Sequence, residues 1–302
     1  MPDDDGSDAF EGERARLTGL AYRLLGSLAD AEDVVQDAWF KWTAADRAAI
    51  HNPAAWLTTV VSRSGLSRLR QRKRERLDYV GPWLPDPVVQ PASPLPDPAT
   101  TAELTDSLTT TFLLALERLS PEQRLVVLLS DVFGEPLSEV AEMLGQSPAA
   151  TRQMAVRARR RLRDDAPSAT ARTPEANPSD ATGTAQALAA AVLGDDLEAV
   201  MRLIAPDVVL ISDGGAARHA ARRPVVGAER VARFLLNLAR RLSPQHTAEP
   251  VMMNGLPGVL IRLDGRPDIV QAVEVRDGLV TRVLFINNPD KLAFVDHPPT
   301  LA

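Results

Sequence analysis

Three groups of charged side chains carry most of the chemistry available to this chain. Arg152, Gln153, Arg157 and Arg160 follow Ser147-Pro148 at helical spacing, with Arg159 and Arg163 beside them. Guanidinium and carboxamide groups are the bidentate partners of guanine and adenine edges, and outlying arginines suit phosphates. A second set, Arg63, Arg68, Arg70, Arg72, Lys73, Arg74 and Arg76, lies downstream of Asn52 and Trp56. A basic helix with tryptophan near its start suits a phosphate backbone and unstacked bases, although a core position for Trp56 is the competing reading. The third group is acidic: Asp30, Glu32, Asp33 and Asp37, with Gln36 and Trp39 among them, is left for a partner other than DNA. Asp213, His219 and His246 are the acid or base candidates of the C-terminal third. No metal-ligand spacing, glycine-rich phosphate loop or serine elbow accompanies them, which favours a binding module over an enzyme, with no cofactor and no metal expected.

Each group needs an element to hold it. Leu137, Val140, Ala141 and Leu144 fall at helical intervals, Gly145 stops that helix, and Ser147 caps a second helix whose first residue is Pro148. Thr151, Ala155, Ala158 and Leu162 form its inward stripe, so the arginines point outward. The pair is a helix-turn-helix. Upstream, Leu17, Leu20, Ala21, Leu24 and Leu25 line one helix, and Ser27 or Asp30 caps the next, which buries Val34, Val35, Ala38 and Trp42. Asn52-Pro53 opens a third, burying Leu57, Val60, Val61, Leu66 and Leu69.

The 302 residues contain no cysteine, which removes disulfides and thiolate chemistry, and carry a net charge of −6. From residue 180 onward there are 13 Lys+Arg against 14 Asp+Glu, leaving 21 against 26 before it. The DNA-reading half is therefore acidic overall, and two local basic footprints on a repelling body favour defined docking over general coating. Neither an apolar leader nor a run of about 18 apolar residues is present, so a cytoplasmic protein without a membrane partner is expected.

Prolines crowd residues 82–98, which reads as an extended linker without strand or helix, and Ala166–Gly183 is a second break. The expected organisation is multidomain: a helical domain over 8–80, a linker over 81–99, a helix-turn-helix domain over 100–165, a linker over 166–181 and an α+β domain over 182–302. In the last, helices at Ala185–Leu193, Leu197–Ile204 and Ala228–Arg241 alternate with strand-like runs, and Asp277-Gly278 supplies a hairpin turn. That order argues for an antiparallel meander.

The runs LTGLAYRLLGSLADAEDVVQDAWFKW, NPAAWLTTVVSRSGLSRLRQRKR and LSPEQRLVVLLSDVFGEPLSEVAEMLGQS resemble regions 2 and 4 of bacterial extracytoplasmic-function sigma factors. The resemblance implies a subunit that recruits core RNA polymerase to promoter DNA. It places polymerase binding on Asp33, Gln36, Asp37 and Trp39. The −10 element falls to Asn52, Trp56, Arg63, Arg68, Arg70, Arg72, Lys73 and Arg74. The −35 element falls to Ser147, Arg152, Gln153, Arg157 and Arg160. Ser67 and Met154 depart from the common pattern. Trp83-Leu84-Pro85-Asp86-Pro87, Asp213-Gly214-Gly215 and Asn288-Pro289-Asp290-Lys291-Leu292 further resemble the signatures of sigma factors fused to a SnoaL-like, NTF2-like domain. This implies a cone-shaped C-terminal domain, able to take a small ligand, that regulates in cis through contacts with the linker and the sigma domains. Two alternatives remain at this level: a ligand-sensing helix-turn-helix repressor acting on DNA alone, and a SnoaL-like enzyme fused to DNA-binding domains.

Overall fold

A computed structural model describes residues 5–75, 79, 81–92, 109–164 and 178–301. The chain forms two compact units, Met1–Leu77 with Thr111–Ala171 and Pro299–Ala302, and Asp78–Thr110 with Arg172–Pro298.

The first unit is helical. Helices α1 (Asp5–Leu25), α2 (Leu28–Ala44) and α3 (Pro53–Glu75) make one bundle. Gly26, at φ 68°, turns the chain out of α1, and the Ser27 hydroxyl caps α2 by accepting from Asp30 N at 3.5 Å. The apolar stripes read from the sequence meet inside: Leu17, Leu20, Leu24, Leu25, Leu57 and Val61 are fully buried. Gly65 lets α3 lie close against α1, since a Cβ there would stand 2.8 Å from Leu24 Cδ2. Helices α4 (Thr110–Leu116), α5 (Pro121–Val127), α6 (Leu137–Leu144) and α7 (Pro148–Asp164) follow, with a π-turn over Leu128–Val132 after α5. Ser120 and Gln123 close a reciprocal capping box at the start of α5. Gly145, at φ 64°, ends α6, and the Ser147 hydroxyl accepts from Ala150 N at 3.2 Å.

Buried arginines join the two helical sets. Arg124 is 2% exposed and donates to Leu24 O of α1 at 2.7 Å while pairing with Glu117. Arg23 is 1% exposed and lies 5.6 Å from the centroid of the Phe133 ring; burial pushes its guanidinium pKa down to about 10. At the surface, Arg70 Nη2 pairs with Glu122 at 2.7 Å. Because Arg70 is half exposed, Glu122→Ala is expected to change the melting stability of this unit by less than about 1 kcal/mol, measured by thermal denaturation.

The second unit is α+β. Helices α8 (Pro178–Leu193), α9 (Leu197–Leu203) and α10 (Ala228–Ala239) pack on a seven-stranded sheet. Its strands are β1 (Val89–Pro91), β2 (Ile204–Asp213), β3 (Val225–Val226), β4 (His246–Met253), β5 (Leu256–Leu263), β6 (Arg266–Arg276) and β7 (Leu279–Ile286), and their order is β1-β4-β5-β6-β7-β2-β3. A one-turn helix α11 (Pro289–Leu292) follows the last strand. The meander β4–β7 is antiparallel as expected, and β2 adds to it in parallel against β7. Leu188, Val200, Val208, Leu210, Val231 and Leu235 close the core against Val273, Val280 and Val283. Three hairpins use the same left-handed pair, Asn254-Gly255, Asp264-Gly265 and Asp277-Gly278, all at positive φ, where the sequence reading singled out only the last.

One expectation is corrected here. The proline-rich segment read as strandless contains β1, which pairs antiparallel with Val251–Met253. The cause is tertiary: Asn254 accepts through Oδ1 from Val88 N at 3.0 Å and donates its own backbone N–H to Val88 O at 2.9 Å. Pro91 sits at the end of an edge strand, where a missing N–H is tolerated.

Candidate nucleic-acid interface and a buried linker lock

Helix α7 divides into two faces. Thr151, Ala155 and Ala158 are fully buried, while Arg152, Gln153, Arg157 and Arg160 are exposed together with Ser147 at the cap. Val156, 60% exposed, stands among them. Arg159, expected beside this face as a phosphate contact, instead forks onto Asp131 at 2.9 and 2.5 Å. Despite the cost of part-burying Asp131, hydrogen bonds from Arg159 and Ser130 hold its carboxyl below the usual range.

Helix α3 sorts its basic residues into two kinds. Asn52 caps it, accepting from Ala55 N at 3.1 Å, and Trp56 is half-buried with its ring 5.7 Å from Trp42. Arg63 and Arg70 are exposed and hold surface partners, Arg63 Nε donating to Met143 O at 3.2 Å and Arg70 pairing with Glu122 at 2.7 Å. Arg68 and Arg72 instead grip the two oxygens of Asp30, at 2.8 and 2.6 Å, and Arg72 also donates to Leu25 O at 3.2 Å. These two arginines clamp α3 to α2. Asp30 is therefore not left for a partner as expected; it is 5% exposed and spent inside the bundle. The side chains of Lys73 and Arg74 lie outside the described residues.

On α2, Asp33, Gln36 and Asp37 are exposed, but Trp39 is half-buried and meets Phe10 edge-on at 4.9 Å. The exposed aromatic is its neighbour Phe40, at 58%. Sequence reasoning passed over it, although Phe40 lies three, four and seven residues from Asp37, Gln36 and Asp33, the spacing of one helical face.

The three short runs of the linker and C-terminal domain converge on one buried ion pair. Asp213 is fully buried and meets Lys291 Nζ at 2.9 Å. The same carboxylate accepts from Tyr79 Oη at 2.5 Å, Leu84 N at 2.8 Å and Gly215 N at 3.2 Å. Lys291, 5% exposed, also donates to Leu84 O, stands 3.9 Å from Asp86 Oδ1, and lies 4.1 Å from the centroid of the Trp83 ring. Leu84, Pro85, Asp86 and Pro87 are all buried. Asn288 caps α11 by accepting from Asp290 N at 3.2 Å and donates to Tyr79 Oη at 3.1 Å; Pro289 and Asp290 are exposed and Leu292 is buried. Gly215 is required twice over: it sits at φ 58°, and a Cβ there would come within 2.6 Å of Asn288 Nδ2. A Cβ on Gly214 would stand 2.8 Å from Arg218 O. Burial, reinforced by Asp213, holds the Tyr79 phenol proton well above its usual pKa. Tyr79 was passed over in the sequence, because it lies outside the three runs and the carboxylate it meets is 134 residues away.

The acid and base candidates do not assemble. Among the described residues no hydrogen bond or ion pair joins His219 or His246 to Asp213; His246 Nε2 is 3.7 Å from Asp268, which Arg218 holds at 2.9 Å. Ile261, Ile269 and Phe285 fill part of the domain interior against Leu238, Leu242 and Val259. No helix among the described residues is long and apolar enough to cross a membrane.

A helix-turn-helix with an exposed basic face, a second basic helix and an acidic helix, chained to an α+β domain, define a multidomain DNA-binding transcription factor. The sigma-70 region 2 family matches residues 9–75 and the sigma-70 region 4 family matches residues 110–162. The ECF RNA polymerase sigma factor SigJ of Mycobacterium tuberculosis is 39% identical over 295 residues, covering 93% of this chain and 91% of that protein. The probable ECF RNA polymerase sigma factor SigI of the same species is 30% identical over 291 residues, covering 95% and 94%. The crystal structure of the extracytoplasmic function sigma factor SigJ from Mycobacterium tuberculosis superposes with a TM-score of 0.71 at 36% identity, covering 96% of this chain and 99% of that one. The chain belongs to the ECF RNA polymerase sigma factors.

Proposed function

We propose that this ECF sigma factor acts in the cytoplasm, binding core RNA polymerase through the α2 face of Asp33, Gln36 and Asp37 around Phe40. It brings Asn52, Trp56, Arg63 and Arg70 of α3 to the −10 element and Ser147, Arg152, Gln153, Arg157 and Arg160 of α7 to the −35 element. Arg68 and Arg72 serve that site by positioning α3. The C-terminal domain works as a binding module in cis and not as an enzyme, because the Asp213 carboxylate already meets four donors and has no lone pair to offer a substrate proton.

The observation that carries the regulatory reading is Lys291, buried between Asp213 and the linker carbonyl of Leu84. Residues 82–91 connect the two DNA-reading modules in the chain, so pinning them shortens the free tether. A shorter tether raises the effective concentration of one module at its element once the other is bound. Trp83→Ala removes the ring over Lys291 without touching either helical module. Promoter-dependent transcription in vitro, with saturating core polymerase, is expected to fall several-fold while binding to core polymerase stays level. Unchanged transcription would rule out a role for the lock.

A further inference from the structure

Among the described residues of the helical unit, two large apolar side chains are exposed, Phe40 and Val156. Val156 is 60% exposed in the middle of a face otherwise made of Arg152, Gln153, Arg157 and Arg160. The inward stripe of α7 is complete without it, since Thr151, Ala155 and Ala158 are already fully buried. Gln153 and Arg157 are one helical turn apart, a rise of about 6 Å, which spans roughly two base steps of a duplex. Val156 lies between them in height, displaced toward Arg152, and so faces the base edge beside those that the carboxamide and the guanidinium reach. The apolar group that a major-groove edge presents is the 5-methyl of thymine.

We propose that Val156 is a specificity-determining residue that selects thymine in the upstream promoter element by packing its branched side chain on the 5-methyl group. This rests on the assignment of α7 as the −35 reader. Gln153 and Arg157 set the register by hydrogen bonds, and Arg152 and Arg160 hold the flanking backbone. A valine offers no hydrogen bond to any base, so its preference comes from one methyl contact, about fourfold in affinity. Cytosine at that position presents no methyl, and its amino group meets an alkyl surface.

The test uses holoenzyme assembled from the full-length chain and its cognate core polymerase, selected against a library of random duplex DNA. Each thymine of the enriched upstream element is then replaced singly by deoxyuridine, which removes the methyl and leaves base pairing intact. At one position the replacement is expected to weaken wild-type binding about fourfold. Val156→Ala is expected to erase that difference at that position alone, and Val156→Ile to keep it. Equal binding of thymine and deoxyuridine at every upstream position, or discrimination that survives Val156→Ala, overturns the proposal while leaving α7 as the reader. Loss of all upstream enrichment in Arg157→Ala identifies α7 as that reader; enrichment indifferent to Arg157→Ala overturns both.

Discussion

Lys291→Met is expected to destabilise the C-terminal unit by about 3–5 kcal/mol, the cost of leaving one member of a buried ion pair without its partner. The methionine keeps the alkyl stem under Trp83 but strands Asp213, which is fully buried, and removes the donor from Leu84 O. Asp213→Asn in the same chain removes the orphaned charge. The double variant is therefore expected to recover part of the loss, since a neutral amide facing the remaining donors costs less than a buried carboxylate without its counter-ion. Because two units do not melt as one, the appropriate measurement is hydrogen exchange at the amides of Leu84 and Gly215, both of which donate to Asp213. Faster exchange there in Lys291→Met, partly reversed in the double variant, is the expected pattern. Wild-type protection in Lys291→Met would mean that the pair is not what holds the linker down.

How much of this was legible depends on how far apart the interacting residues lie. The exposed basic face of α7 is written locally: Ser147, Pro148, Gly145 and the helical spacing of Thr151, Ala155 and Ala158 all act within a few turns. The hairpin at Asp277-Gly278 was readable for the same reason. The linker lock was visible only as three runs that share one family signature and imply a contact between linker and domain; its individual bonds were not, because Leu84 meets Asp213 across 129 positions and Lys291 across 207. Strand β1 had no signal of its own; PDPVVQP does not alternate, and its conformation is imposed by the edge of β4 and by Asn254. Arg68 and Arg72 illustrate the opposite trap. Counted along the chain they belong to a DNA-binding footprint, yet a single buried carboxylate, Asp30, claims both. Charge density alone does not separate a cation that meets phosphate from one that fastens two helices.

The same distinction governs α2, where the two adjacent aromatics have opposite expected effects. Phe40→Ala is expected to weaken binding of core polymerase by about 30-fold, the loss of an interface anchor worth roughly 2 kcal/mol. Phe40 is 58% exposed and flanked by Asp33, Gln36 and Asp37, an apolar centre with a polar rim, the anatomy of an interface hot spot. Truncating it removes little packing within the bundle, so the melting temperature of the variant is expected to stay near wild type. Trp39→Ala, by contrast, deletes a half-buried ring lying against Phe10 and is expected to lower the melting temperature. The acidic neighbours act differently again: Asp37→Asn is expected to slow association and flatten its salt dependence, with a smaller change in the off-rate. Fluorescence anisotropy of labelled protein titrated with core polymerase at two salt concentrations separates these effects. If Phe40→Ala binds as tightly as wild type while Asp37→Asn loses affinity, polymerase is held by charge alone, and the exposed ring has another partner.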